Sequence, residues 1–193
     1  MSVRKGSIDS YHVSNNGEHA TICIGEWKRD RGDGEICHCG EILIHSSFGA
    51  FANTWTACGS PFKQFLTKVE FHYFMGKCLG ANFMKYDGDA TLNRFLKDIV
   101  SARREQRVGK DEAREAWDLF YGIQESFQQS SDIMCIEVGG IQSHLPTRLR
   151  HIADEPWEHI EKKPDVQATW FWKEIWPEFV AALKEELVEL VPA

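Results

Sequence analysis

Five side chains able to ligate a metal or act as nucleophiles fall within one short span, "GEICHCGEILIHSSFGAFANTWTACG": Cys37, His38, Cys39, His45 and Cys58. Zinc needs four nitrogen or sulfur ligands converging within about 2.3 Å of one point. On a strand Cys37 and Cys39 share a face about 7 Å apart, while His38 points the other way and His45 lies about 20 Å along the strand. A metal centre at Cys37 and Cys39 would have to recruit Cys23, Cys58, His72 or Cys78, and no second C-x-C or C-x-x-C pair supplies them. The expectation is therefore half-buried thiols of a sheet, with a zinc site as the alternative. Nucleophilic catalysis has no firmer footing: G-x-S-x-G, Walker A and G-x-G-x-x-G patterns are all missing, and no cysteine is spaced to a histidine that would activate it. The chain is expected to be no enzyme and to carry no cofactor.

Charge points toward partners. The 193 residues carry a net charge of -7, concentrated at the end: from Ala153 onward ten acids face four lysines, while the remainder has 19 acids and 18 bases. General nucleic-acid binding needs a basic footprint and is not expected. The exception is a helix bearing Arg94, Arg103, Arg104 and Arg107, a candidate phosphate contact diluted by Asp98 and Glu105. Four of seven tryptophans, Trp157, Trp170, Trp172 and Trp176, also sit near the acidic end. "WFW" cannot all face one core from one helix, and tryptophan is a favoured interface anchor. The candidate partner-binding set is therefore Trp170, Trp172, Trp176, Glu178, Glu185, Glu186 and Glu189, with a homodimer as one use of it.

The elements that must position these residues are legible in outline. His19 to Glu26 and Ile36 to His45 alternate as strands around the charged turn "KRDRGDG", in which Arg31, Gly32 and Asp33 spell an adhesion tripeptide by coincidence; "GAFANTWT" adds a third. A three-stranded antiparallel meander (1–59) results, and helices must cover one face. Ser60 as N-cap and Pro61 at N1 open the covering helix, and Gly80 stops it. A helix with Leu92, Phe95, Leu96 and Ile99 on one face is expected to end at Gly109, and another to start near Lys110 with Ala113, Ala116, Trp117 and Phe120 facing inward. "DIMCIEVGG" reads as strand or buried helix, and short pieces follow, broken by Pro146, Pro156 and Pro164. A closing amphipathic segment carries Ile175, Phe179, Leu183, Leu187 and Leu190, with Pro177 either kinking it or starting a new helix. The reading is α+β: one domain, an N-terminal three-stranded antiparallel sheet packed by helices, then a mainly helical part (60–193). The first residues, "MSVRKGSIDSYHV", lack a signal peptide's apolar stretch, so a soluble protein with reduced thiols is expected.

The order "GEILIHSSFGAFANTWTACGSPFKQFLTKVEFHYFMGK", "YDGDATLNRFLKDIVSARREQRVGKDEAREAWDLF", "FWKEIWPEFVAALKEEL" resembles a family of small accessory proteins of tailed bacteriophages and prophages. The resemblance rests on Phe48, Gly49, Trp55, Cys58, Gly59, Phe62, Phe65, Leu66, Ala102, Arg103 and Arg104, then on Glu112, Ala113, Arg114, Trp117, Trp176, Pro177 and Phe179. It implies a phage context and location in the host cytoplasm, without catalytic residues. By analogy it implies a protein that binds and inhibits a host protein complex, such as a CRISPR effector. The reading from a different class is a small zinc- or nucleic-acid-binding regulator using Cys37, Cys39 and the arginine helix.

Overall fold

The structure, a computed structural model, describes Val3, residues 5–30, Gly32 and residues 35–189. Arg31, Asp33 and Gly34 of the expected charged turn, and Leu190 of the expected closing segment, lie outside the described residues. In chain order the elements are β1 (Asp9–Asn15), β2 (Glu18–Asp30), β3 (Ile36–Ser46), β4 (Gly49–Trp55), α1 (Phe62–Leu66), α2 (Phe71–Leu79) and β5 (Met84–Tyr86). Then come α3 (Gly88–Arg104), α4 (Lys110–Gly122), α5 (Gln124–Gln129), α6 (Ser131–Ile141), β6 (Lys162–Pro164), α7 (Val166–Glu174) and α8 (Trp176–Glu189), with short 3-10 turns between α6 and β6.

The chain folds as two compact units, one formed by residues up to Phe83 and from Pro164 onward, the other by Met84–Lys163. Neither boundary has a linker's composition, so the sequence reads as one domain split at residue 59, whereas folding returns the last two helices to the sheet.

The first unit is α+β, with an antiparallel sheet of order β1-β2-β3-β4. It holds four strands where three were expected. The extra strand, "DSYHVSN", has little apolar content because it is an edge strand, and it is joined to β2 by an Asn16-Gly17 turn with φ of +51° and +86°, the geometry that two-residue hairpins favour. One face buries Ile22, Ile24, Ile42, Ile44, Phe51 and Trp55 beneath α1, α2, α7 and α8. Ile36, expected on the same face, is 63% exposed: β1 pairs only as far as Ile24 and β4 only as far as Gly40, so among the described residues no third strand flanks the far end of the β2–β3 ribbon. The expected single covering helix is two, α1 and α2. The break at Thr67–Glu70 lets Phe62, Phe65 and Phe74 all pack around the Trp55 indole, with ring centroids 5.7 Å away. Gly80 ends α2 at φ +55°.

The second unit is helical around Phe95, Ile99, Phe120, Phe127, Val138 and Leu149. Asp87 caps α3, its carboxylate accepting from the Ala90 N–H. α3 ends at Arg104 rather than at Gly109, because Gln106 adopts φ +59°. Gly109 instead opens α4, and its N–H donates to the Glu112 carboxylate at 2.8 Å. The ambiguous "DIMCIEVGG" is helix, capped by the Ser130 hydroxyl.

Candidate functional site

α7 starts where the Asp165 carboxylate accepts from the N–H groups of Gln167 and Ala168. α8 is a separate helix with Pro177 in its first turn, where a missing N–H costs nothing. Phe171, Ile175, Phe179 and Leu183 are fully buried, and that orientation decides the fate of the candidate partner-binding set. Trp176 is 4% exposed, so it is a core residue and not a surface anchor. Trp172 stacks on it with centroids 4.8 Å apart at 14°. Glu186 is likewise withdrawn: it accepts from the Tyr11 hydroxyl at 2.7 Å and from the Lys63 ammonium, and these bonds lower its carboxyl below the usual range.

What stays on the surface is Trp170, 47% exposed with the Lys173 ammonium 5.4 Å from its ring centre, together with Glu178, Glu185 and Glu189. On a helix, steps of seven and four residues return to nearly the same azimuth. The three carboxylates therefore form one outward ridge with rises of about 10.5 and about 6 Å.

The second unit carries a different feature. The C-terminal half of α3 and the start of α4 enclose an open groove of about 730 Å³. Its floor is Ile99, Val100, Ala113 and Trp117, and its rim is Arg103, Arg104, Lys110 and Arg114 with Asp111 as the acid. Beyond Trp117 the groove continues past Asn93, Lys97 and Ser101. Among the described residues Arg103, Arg104 and Lys110 make no ion pair or side-chain hydrogen bond, whereas Arg114 pairs with Asp118 at 3.0 Å. The predicted arginine set divides: Arg94 pairs with Glu161 at 2.9 Å and Arg107 with Glu105 at 2.7 Å, leaving Arg103 and Arg104 for the groove. Sequence reasoning placed Trp117 in the core and left Lys110 and Arg114 without a role. Their signal is the i, i+4, i+7 spacing of Lys110, Arg114 and Trp117, which puts two cations and an aromatic on one face of α4.

Residues 1–185 match the family model Phage_phiTE_072, described as a phage family. The chain belongs to this phage family. No curated protein and no solved structure matches it. Of the residues that carry the resemblance, Trp55, Phe62, Leu66, Trp176 and Phe179 of the phage protein are buried in the first unit. Arg103, Arg104, Arg114 and Trp117 instead line the groove of the second.

Three cysteines of the phage protein, Cys37, Cys39 and Cys58, are drawn together at the end of β3. The Cys58 N–H donates to the His38 carbonyl at 2.9 Å, which brings Cys58 beside Cys37 and Cys39. Burial, and then the neighbouring Cys39 and Cys37, push the Cys58 thiol up to about 11. Cys39 is 1% exposed and donates to the Thr56 carbonyl at 3.1 Å. Among the described residues no group of three His, Cys, Asp or Glu side chains is placed to hold a metal, so the zinc alternative at Cys37 and Cys39 finds no third ligand. No described helix is long and apolar enough to cross a membrane.

Proposed function

We propose that this phage protein acts by binding rather than by catalysis, docking on a host protein complex in the host cytoplasm and blocking it. The target class is a nucleic-acid-processing antiviral system such as a CRISPR effector. The observation that carries this reading is the α8 ridge, where Glu178, Glu185 and Glu189 project outward, while Trp170 is exposed on α7. A basic channel built to hold a phosphate backbone accepts a row of carboxylates by the same electrostatics, and an exposed indole adds a desolvated anchor. A tagged-protein pull-down from host cells tests it. The unmodified chain should recover one stoichiometric complex, and a triple Glu178→Lys, Glu185→Lys, Glu189→Lys variant should recover none. Equal recovery by the triple variant would sink the ridge as the docking surface.

A second reading, a small nucleic-acid-binding regulator, is favoured by the α3–α4 groove. Unpaired cations beside an aromatic floor suit a single strand, whose phosphates meet the rim while a base stacks. The two readings separate cleanly, because one depends on carboxylates of α8 and the other on Arg103 and Arg104.

A further inference from the structure

Among the described residues the order β1-β2-β3-β4 leaves β4 with a strand neighbour on one side only. The two-residue connection Ser47–Phe48 makes Ser46 and Gly49 a hydrogen-bonded pair. By alternation Phe51, Asn53 and Trp55 bond to β3, and the backbone groups of Ala50, Ala52 and Thr54 turn outward. All three residues are exposed. Among the described residues the only bond to those outward groups is from the Asn53 side-chain amide to the Thr54 carbonyl, at 3.3 Å.

Proteins that stay monomeric blunt such an edge with lysine, proline, a bulge or a very short strand. β4, "GAFANTW", has no charge and no proline, and its register with β3 runs without a bulge over seven residues. The opposite edge is different: β1 starts at Asp9, and its outward groups belong to the polar residues Ser10, His12 and Ser14.

We propose that β4 is a dimerisation edge, at which two copies pair their β4 strands antiparallel about a twofold axis and merge two four-stranded sheets into one of eight. Self-complementarity selects a second copy as the occupant. An axis at Ala52 sets Ala52 against Ala52 and Ala50 against Thr54, small side chains throughout. On the open face Leu43, 47% exposed, lies beside Ala52, so the apolar rows of the two copies join into one strip. The same axis puts the His45 end of one row toward the Glu41 end of the other, since His45 pairs with Ala50 and Glu41 with Thr54. A parallel arrangement would align Glu41 with Glu41.

This pairing does not depend on the target proposed above, and light scattering and sedimentation over a concentration series test it separately. The chain should run at twice its mass. Ala52→Lys, which sets two ammonium groups across the axis, should weaken association roughly a hundredfold with the circular dichroism unchanged. Thr54→Lys serves if that variant misfolds, and His12→Lys on the other edge should leave the dimer intact. The amides of Ala50, Ala52 and Thr54 should exchange more slowly as concentration rises. A monomer at every concentration, or a dimer indifferent to both β4 lysines, overturns the proposal. So does a monomer whose β4 amides become protected only when host extract is added, an outcome that assigns the edge to a foreign strand.

Discussion

The Lys63 ammonium reaches the Glu186 carboxylate, 123 residues further along the chain, and also meets Asp9 at 2.7 Å. Lys63 is 8% exposed. Burial alone would lower its pKa, yet the bonds to Asp9 and Glu186 outweigh it and hold the ammonium charged beyond the ordinary lysine range. β1, α1 and α8 are thereby tied at one point.

Removing the cation leaves two carboxylates facing each other. Lys63→Met should destabilise the fold by about 1–2 kcal/mol, less than a fully buried pair would cost because Asp9 and Glu186 are partly exposed. Urea denaturation of the variant against the parent protein measures this.

The same cluster sets an acid limit. The folded-state pKa of Glu186 is lowered by Lys63 and Tyr11, so its contribution is complete above the usual carboxylate pKa and is lost as pH falls through that range and below. The melting temperature should drop on acidification, and Glu186→Gln should flatten that dependence. An unchanged slope in the variant would remove Glu186 from the account.

Gly40 is required by its close approach to an aromatic ring. A Cβ there would sit 2.2 Å from the Phe62 ring, which lies against the bare backbone of β3. Gly40→Ala should cost about 2–3 kcal/mol through displacement of Phe62, read as a lower melting temperature. Gly17→Ala tests a different cost, since a Cβ meets nothing there but φ is +86°.

Thiol reactivity should be uneven. Burial pushes Cys78 up to about 12, and burial with the neighbouring thiols takes Cys58 to about 11. Because the thiolate is the nucleophile, at pH 8 Cys58 should alkylate with iodoacetamide roughly two, and Cys78 roughly three, orders of magnitude more slowly than an ordinary cysteine. Peptide mass spectrometry over time resolves each site.

Under the groove reading, Arg103→Glu with Arg104→Glu should abolish binding of a fluorescein-labelled single-stranded oligonucleotide, measured by anisotropy. Single Arg→Ala changes should each lower the salt slope by about 1. Binding that survives the double reversal would discard the groove as a nucleic-acid site.

Local pattern carried much of this into view. Period-two alternation marked β2, β3 and β4, and helical spacing marked α3, α4 and α8, because each element buries one face and its sequence must repeat with that element's period. β1 escaped because an edge strand of mostly polar residues leaves little alternation to read. The break between α1 and α2 escaped because apolar residues at helical spacing continue through it; across the break Phe74 joins Phe62 and Phe65 around Trp55. The acidic end was legible as charge, but which acids face outward was not. Glu185 and Glu186 are adjacent and identical, and only Lys63, delivered by α1, and Tyr11, delivered by β1, make Glu186 structural.

The sequence alone determined an α+β protein of a phage family, with a β-rich start, helices at its end and thiols fit for a sheet. The fold class and the fit of the thiols follow from composition and periodicity, which are local, and the phage family from the resemblance of the residue order. Tertiary structure decided that Trp176 belongs to the core, that Arg103 and Arg104 share a groove with Trp117, and that β1 and β4 are the two edges of the sheet. Each of these depends on which distant residue arrives as a neighbour, and side-chain spacing along one element holds no information about that.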